Sequence, residues 1–333
     1  MKNKDIKLSI IIPVYNVEEY INDCLASLYC QGFDENEFEI IIVNDGSTDN
    51  SMNVAQSIIG KHNNIIVINQ PNQGQAAARN KGVEQAHGEY IFFMDSDDVL
   101  VTNSLKPLLL QLIESGADTI QGNFVQVEDN KIHEKETIPN NNCDKVVIMS
   151  GKQRFVNDSA YLFAVWQNIY KKEFLISSDI KFIEGIFIED VAYYSEMMIK
   201  AKTYTISSIT HYIYRLRQGS TMATMDKMKL IHMNIANEYV WKNCKDIAAE
   251  DEACYQALVN RIFHSGISKS LWFVTHYRNI YPQWKEILDD FKLRIPLNIF
   301  NITWKQRATV ICLKYFPGLF LWVRYKLNKK KYG

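Results

Sequence analysis

Residues 89–98 read EYIFFMDSDD, an apolar run from Tyr90 to Met94 that ends in three carboxylates within four positions. An apolar run of that length between polar residues predicts a strand buried on both faces of a sheet. In an open α/β sheet the loops leaving the C-terminal strand ends form the crevice where ligands bind, so the acids fall where chemistry is expected. Two carboxylates about 4 Å apart repel by about 4 kcal/mol at an effective dielectric near 20. Asp95 and Asp97 therefore call for a counter-charge or open water. With oxygen ligands alone and no Cys or His beside them, Mn2+ or Mg2+ is the expected counter-charge, bridging to substrate phosphates. Taken as four residues alone, DSDD also reads as a solvated acidic turn.

The pattern on either side of this stretch decides between the two. Upstream, strand signals at 7–14 (KLSIIIPV), 38–43 (FEIIIV) and 64–69 alternate with helical spacing over 17–29, from the NDGSTDNS turn to 59, and over 75–85. That alternation predicts an α/β fold, a Rossmann-like, mostly parallel central sheet with helices on both faces. Downstream, a helix is expected over 102–115 and a strand over 118–127. A polar, Asn-rich excursion follows over 129–148, then short helices at 152–158 and 189–201, a strand at 204–215, and helices after 226. No Gly-x-Gly-x-x-Gly turn follows the first strand, which continues PVYNVEEY, and no phosphate-binding P-loop occurs. Hydride transfer on a dinucleotide and P-loop kinase chemistry lose their main support.

The six cysteines are scattered without a Cys-x-x-Cys pair, as expected of reduced thiols in a cytosol. The N-terminal MKNKDIKLSIIIPV is too short in its apolar part to read as a signal peptide. Net charge is −1, but from Phe291 onward there are ten Lys and Arg and no acid. Such a tail addresses an anionic surface, membrane lipid or nucleic acid. Between 308 and 323, ATVICLKYFPGLFLWV is apolar, but it is too short and too interrupted to span a bilayer, which takes about 20 residues. It reads as an interfacial helix pair or as a helix packed on the protein's own core.

Other residues fall at the same sheet edge. Asn44-Asp45-Gly46-Ser47 ends the second strand, where a carboxylate can accept a ribose hydroxyl or a base N–H, or simply cap a turn. Arg79 lies on a small-residue helix face, Ala76-Ala77-Ala78, and invites an acid or a phosphate partner. Glu189 and Asp190 open a helix and suit a proton acceptor or a macrodipole contact. His211 is a lone strand histidine.

Six stretches occur in order: SIIIPVYN, EIIIVNDGSTDNS, NQGQAAARNKG, FFMDSDD, FIEDVAYYSEM and YRLRQGST. Together they resemble the family 2 nucleotide-sugar glycosyltransferases of the GT-A fold, over residues 7–222. The resemblance implies a nucleotide-binding half over 1–128, an acceptor half over 129–222 and a C-terminal helical region over 223–333. It also implies a UDP-sugar donor and inversion at the anomeric carbon. Carried over by position, Pro13, Tyr15 and Glu18 would line the nucleotide pocket, Asp45 would read the uracil, and Arg79 would lie beside base and diphosphate. Asp95 and Ser96 would touch the ribose or the metal, and Asp97 would hold the metal. Asp190 would be the catalytic base, with Glu189 at the acceptor. Arg215, Arg217 and Ser220 match a loop that in relatives covers the donor phosphates. His211 would complete the metal shell, as a histidine does in some relatives, although a lone strand histidine also reads as structural. Read from residue type alone, Trp166 and Tyr170 either stack on the acceptor sugar or pack in the core. Asn168 stands where a basic residue is usual.

The expected partners are a UDP-sugar, a glycan or lipid-linked acceptor and an anionic membrane face, with no nucleic acid. The expected place is the cytoplasmic side of the cell membrane. A sugar-phosphate nucleotidyltransferase would need a Gly-rich, basic loop after the first strand, which is absent. An inactive nucleotide-binding partner of another transferase is the non-enzymatic rival.

Overall fold

The computed structural model describes residues 6–134, 145–158, 164–217, 226–276 and 283–295, together with positions 308–309, 311–312, 315, 318–320 and 323. The chain divides into two compact units, Met1–Gly185 with Lys200–Ser220, and Ile186–Ile199 with Thr221–Gly333. The segment 186–199, which holds Glu189 and Asp190, thus groups with the C-terminal helices.

The first unit is built on one sheet. Strands β1 (Leu8–Val14), β2 (Phe38–Asn44), β3 (Ile65–Asn69) and β4 (Tyr90–Phe93) alternate with helices α1 (Ile21–Leu28), α2 (Ser51–Ile59) and α3 (Gln75–Gln85). Their order is β3-β2-β1-β4, all parallel. Side chains alternate across a strand. Leu8, Ile10, Ile12 and Val14 accordingly join the core formed with α1 and α2, whereas α3 packs on β1 and β2 through its small face of buried Ala76, Ala77 and Ala78. Every residue of β1 is buried, and each fully buried Ile contributes about 2 kcal/mol.

Beyond β4 the sheet departs from the expected mostly parallel arrangement. The later elements are β5 (Val99–Leu100), α4 (Leu105–Ser115), β6 (Thr119–Glu128), β7 (Val146–Met149), α5 (Gly151–Asn157), β8 (Asn168–Lys171), α6 (Lys172–Ser177) and β9 (Tyr204–Leu216). The order continues β4-β8-β6-β9-β5, with β7 also on β9. Strand β8 runs antiparallel to both β4 and β6, β5 and β7 run antiparallel to β9, and only β6 with β9 is parallel. The pair of residues in β5 carries no periodicity, and β8, NIYK, begins and ends on polar side chains, so neither registers as a strand in the sequence.

In the second unit, α7 (Glu189–Lys200) is followed by α8 (Lys227–Ala248), α9 (Glu252–Ile262), a π-helical turn (Phe263–Ser268), α10 (Lys269–His276) and α11 (Trp284–Arg294). Asp226 and Asp251 cap α8 and α9 by accepting the N–H groups of Lys229 and Cys254. Arg294 of α11 reaches Glu238 of α8 at 2.7 Å and Asp290 at 2.9 Å, above a core that includes Met233, Val240, Ile287 and Phe291. Among the described residues no helix is long and apolar enough to cross a membrane.

Candidate active site

Parallel pairing brings the C-terminal ends of β1, β2 and β4 to one edge: Val14 lies opposite Asn44, and the Met94 N–H donates to the Ile11 carbonyl at 3.0 Å. The loops leaving β1 and β2 are stitched together. Asn16, held at φ +52°, accepts the Thr48 N–H at 2.9 Å. Glu18 accepts the Asn50 N–H at 2.7 Å and donates its own N–H to Asp49 at 3.0 Å, while the Val17 N–H donates to the Ser51 hydroxyl at 2.7 Å. Pro13 is buried at the end of β1 and Tyr15 is exposed just beyond it. Gly46 cannot be replaced cheaply, since its φ is +72° and a Cβ there would lie 2.9 Å from the Asn72 nitrogen. Asp45 is buried, and its two oxygens accept from the Gln70 side chain and from the N–H groups of Gln73 and Gly74, each at 2.8 Å. It thereby shapes the turn that opens α3.

The acidic turn follows β4. Asp95 and Asp97 keep 25% and 28% of their side-chain surface in solvent, and each meets an arginine. Buried Arg79 on α3 reaches Asp95 Oδ1 at 2.8 Å and lies over the Phe182 ring. Arg217 reaches Asp97 Oδ2 at 2.8 Å and lies over the Tyr20 ring. Ser96 between them is buried. The mutual repulsion anticipated for the two acids is thus relieved by guanidiniums.

The third acid, Asp98, behaves differently. It is buried, it accepts the Tyr212 hydroxyl at 2.7 Å and the Arg215 N–H at 2.7 Å, and its carboxyl is pushed well above the usual range by burial and by the charges of Asp97 and Asp95. The Tyr212 hydroxyl also accepts the Asp95 N–H at 3.3 Å. Arg215 lies within β9, buried, with Nε on the Asp97 carbonyl at 2.8 Å, Nη2 on Asp23 at 3.1 Å and Nη1 on Asp129. None of Tyr20, Asp23, Asp129 and Tyr212 is marked by a local pattern, and the burial of Asp98 is not either, because each acquires its role from a partner far along the chain.

Three expectations are corrected. His211 is not placed to bind metal: it is fully buried, with Nδ1 3.0 Å from the Asn123 carbonyl and Nε2 3.2 Å from the Trp166 carbonyl. A Cβ on Gly122 would fall 2.4 Å from that ring, so the residue opposite must be glycine. Burial pushes the imidazole down to about 4, against the two carbonyls, which raise it. The folded state thus holds this ring neutral where the unfolded chain would protonate it. Stability contributed this way is present above pH 6.5 and is lost as pH falls toward about 4, by up to about 3 kcal/mol. Urea unfolding across that range should show a slope that His211→Gln flattens.

Trp166 and Tyr170 belong to the core instead of an acceptor surface. Trp166 stacks on Tyr212 with centroids 4.1 Å apart and meets Phe124 edge-on at 5.0 Å. Tyr170 is fully buried and donates its hydroxyl to the Val165 carbonyl at 2.8 Å. Asn168 is also interior, donating to Thr119 and to the Tyr204 hydroxyl.

In the second unit Glu189 and Asp190 begin α7, with Glu189 buried and Asp190 partly exposed. Ser220 lies outside the described residues. Among those residues no group of three or more His, Cys, Asp or Glu side chains could hold a metal ion. What remains is the pair Asp95 and Asp97, and two carboxylates suffice for a hard ion whose other ligands are water and substrate phosphates.

Residues 9–175 match the sequence pattern described as glycosyl transferase family 2. The chain belongs to that family. This family 2 glycosyltransferase is 27% identical to the uncharacterised glycosyltransferase YibD of Escherichia coli K12, across 88% of the chain and 94% of that protein. It is 30% identical to the glycosyltransferase GlyG of Streptococcus pneumoniae, across 65% and 73%. Among solved structures, residues 1–349 of Staphylococcus aureus TarS in complex with UDP-GlcNAc superpose with a TM-score of 0.70 at 25% identity, covering 88% of this chain and 83% of that one. The fold of this glycosyltransferase is accordingly GT-A, with a helical C-terminal region.

Proposed function

We propose that the enzyme transfers a sugar from a UDP-sugar to a hydroxyl of a surface-polymer glycan, with inversion. The observation that carries this reading is the acidic turn after β4, where Asp95 and Asp97 meet Arg79 and Arg217 at the ligand-binding edge of the sheet. Departure of a nucleoside diphosphate leaves negative charge on phosphate oxygens, and guanidiniums aimed at that charge stabilise it as it develops. Mn2+ or Mg2+ held by Asp95 and Asp97 would supply further positive charge to the same oxygens. UDP is favoured as the nucleotide because the TarS structure that resembles this chain holds UDP-GlcNAc.

In the reaction the bond from the anomeric carbon to the β-phosphate oxygen breaks as the acceptor oxygen bonds to that carbon from the opposite face. The acceptor proton passes to a carboxylate. Asp190 is the preferred base over Glu189 because Glu189 is buried, while Asp190 is partly exposed at a helix start that favours its ionised form. Incubating the protein with a panel of UDP-sugars, Mn2+ and isolated polymer acceptors, with UDP release as readout, tests the whole reading. Turnover that requires both donor and acceptor is expected. UDP binding without turnover would favour an inactive binding partner.

The acceptor is proposed to be lipid-linked and met at the inner leaflet. Support comes from the C-terminal stretch, where the described positions are helical and Ile311, Tyr315, Leu319 and Val323 recur at four-residue spacing with 41–64% of their surface exposed. Those exposed apolar side chains lie within a sequence carrying ten basic residues and no acid from Phe291 onward. Each basic residue near an anionic bilayer contributes about 1 kcal/mol. Co-sedimentation with phosphatidylglycerol vesicles, but not with phosphatidylcholine vesicles, is expected, and Ile311→Asp with Leu319→Asp should abolish it. Equal binding by the double variant would remove the membrane from the account.

A further inference from the structure

The two arginines of YRLRQGST are not equivalent. Arg217 is partly exposed, meets one carboxylate oxygen of Asp97 and shares the Tyr20 ring with Arg215. Arg215 is closed in by three elements: Asp23 on α1, Asp129 just after β6, and the main-chain carbonyl of Asp97. Its own N–H is taken by Asp98, which also receives the Tyr212 hydroxyl, and Tyr212 is held in place by the stacked Trp166 ring. A guanidinium with three committed acceptors cannot turn toward a phosphate without leaving two carboxylates and a carbonyl behind.

We propose that Arg215, Asp98 and Tyr212 are positioning residues that fix the backbone of the acidic turn, and that Arg215 is not a ligand of the donor phosphates. Arg215 grips the turn at the Asp97 carbonyl, and Tyr212 grips it at the Asp95 N–H, one on each side of Ser96. The end of β9 thereby fixes the backbone from which the carboxylates of Asp95 and Asp97 project. This rests on the reading of Asp95 and Asp97 as metal ligands. It adds that metal affinity, and not direct phosphate contact, is what Arg215 supplies.

Calorimetric UDP binding, measured in EDTA and again in Mn2+, separates the roles without recourse to turnover. Arg215→Lys keeps the charge but loses the fork, and Tyr212→Phe removes only a hydroxyl. For both variants the UDP affinity in EDTA should stay within about twofold of wild type, while the enhancement by Mn2+ falls about tenfold or more. Arg217→Ala should show the opposite, a loss already present in EDTA. A tenfold loss in EDTA for Arg215→Lys would make Arg215 a phosphate ligand and overturn the proposal, as would unchanged Mn2+ enhancement in Tyr212→Phe. No Mn2+ enhancement in wild type would instead sink the metal reading of the turn itself, and the proposal with it.

Discussion

Asp190→Asn is expected to remove sugar transfer while leaving donor binding as it is. Asn is nearly isosteric with Asp, so the first turn of α7 should persist, but its amide cannot accept the acceptor proton. General-base catalysis contributes about 10²–10⁴-fold, and kcat should fall by that factor with Kd for UDP changed less than twofold. Isothermal titration beside a steady-state assay makes the comparison. A variant that turns over within tenfold of wild type would move the base to another residue, with Glu189 next in line. An equal loss in Glu189→Gln would implicate the helix start as a whole in place of one carboxylate.

Asp97→Ala is expected to cost about 10²–10³-fold in kcat, close to what loss of one transition-state electrostatic contact costs elsewhere. Two effects would act at once: an ion held as proposed would lose one of its two protein ligands, and Arg217 loses the carboxylate it meets at 2.8 Å. The second effect separates from the first through Asp97→Asn, whose amide oxygen keeps a bond to Arg217 yet is a poorer ligand for a hard cation. Mn2+-assisted UDP affinity should fall in both variants. If both bind UDP with the Mn2+ dependence of wild type, Asp97 is no metal ligand and its part is limited to holding Arg217.

The legible parts of this protein are those whose signal is local. Buried strands β1, β2 and β4 announce themselves as uninterrupted apolar runs, and α3 begins and ends where the sequence places it, after Gly74 and before Ala86. The acids at the strand end are equally plain. Which of the three faces solvent is not, because the burial of Asp98 depends on Tyr212 and Arg215, both more than a hundred positions away. The Asp23 contact of Arg215 spans 192 positions, and no periodicity encodes such a pair. Trp166 and His211 mislead for the same reason: residue types common at binding sites, they are enclosed here by strands whose pairing brings Phe124 and Asn123 against them. The antiparallel β8 escapes notice because NIYK, unlike the wholly apolar YIFF of β4, begins and ends on polar side chains.

The loops after β1 and β2 are joined to each other by the chain's own hydrogen bonds, through Asn16 to Thr48, Glu18 to Asn50 and Val17 to Ser51. A surface braced in this way loses little conformational freedom on association, so a donor nucleotide seated there, as proposed, would not spend affinity on arranging it. On that proposal, recognition of the nucleotide and choice of the sugar would be separable traits. Substitutions that retune the sugar can accumulate elsewhere in the chain without disturbing the grip on the nucleotide, which gives a GT-A scaffold of this kind room to diversify its products.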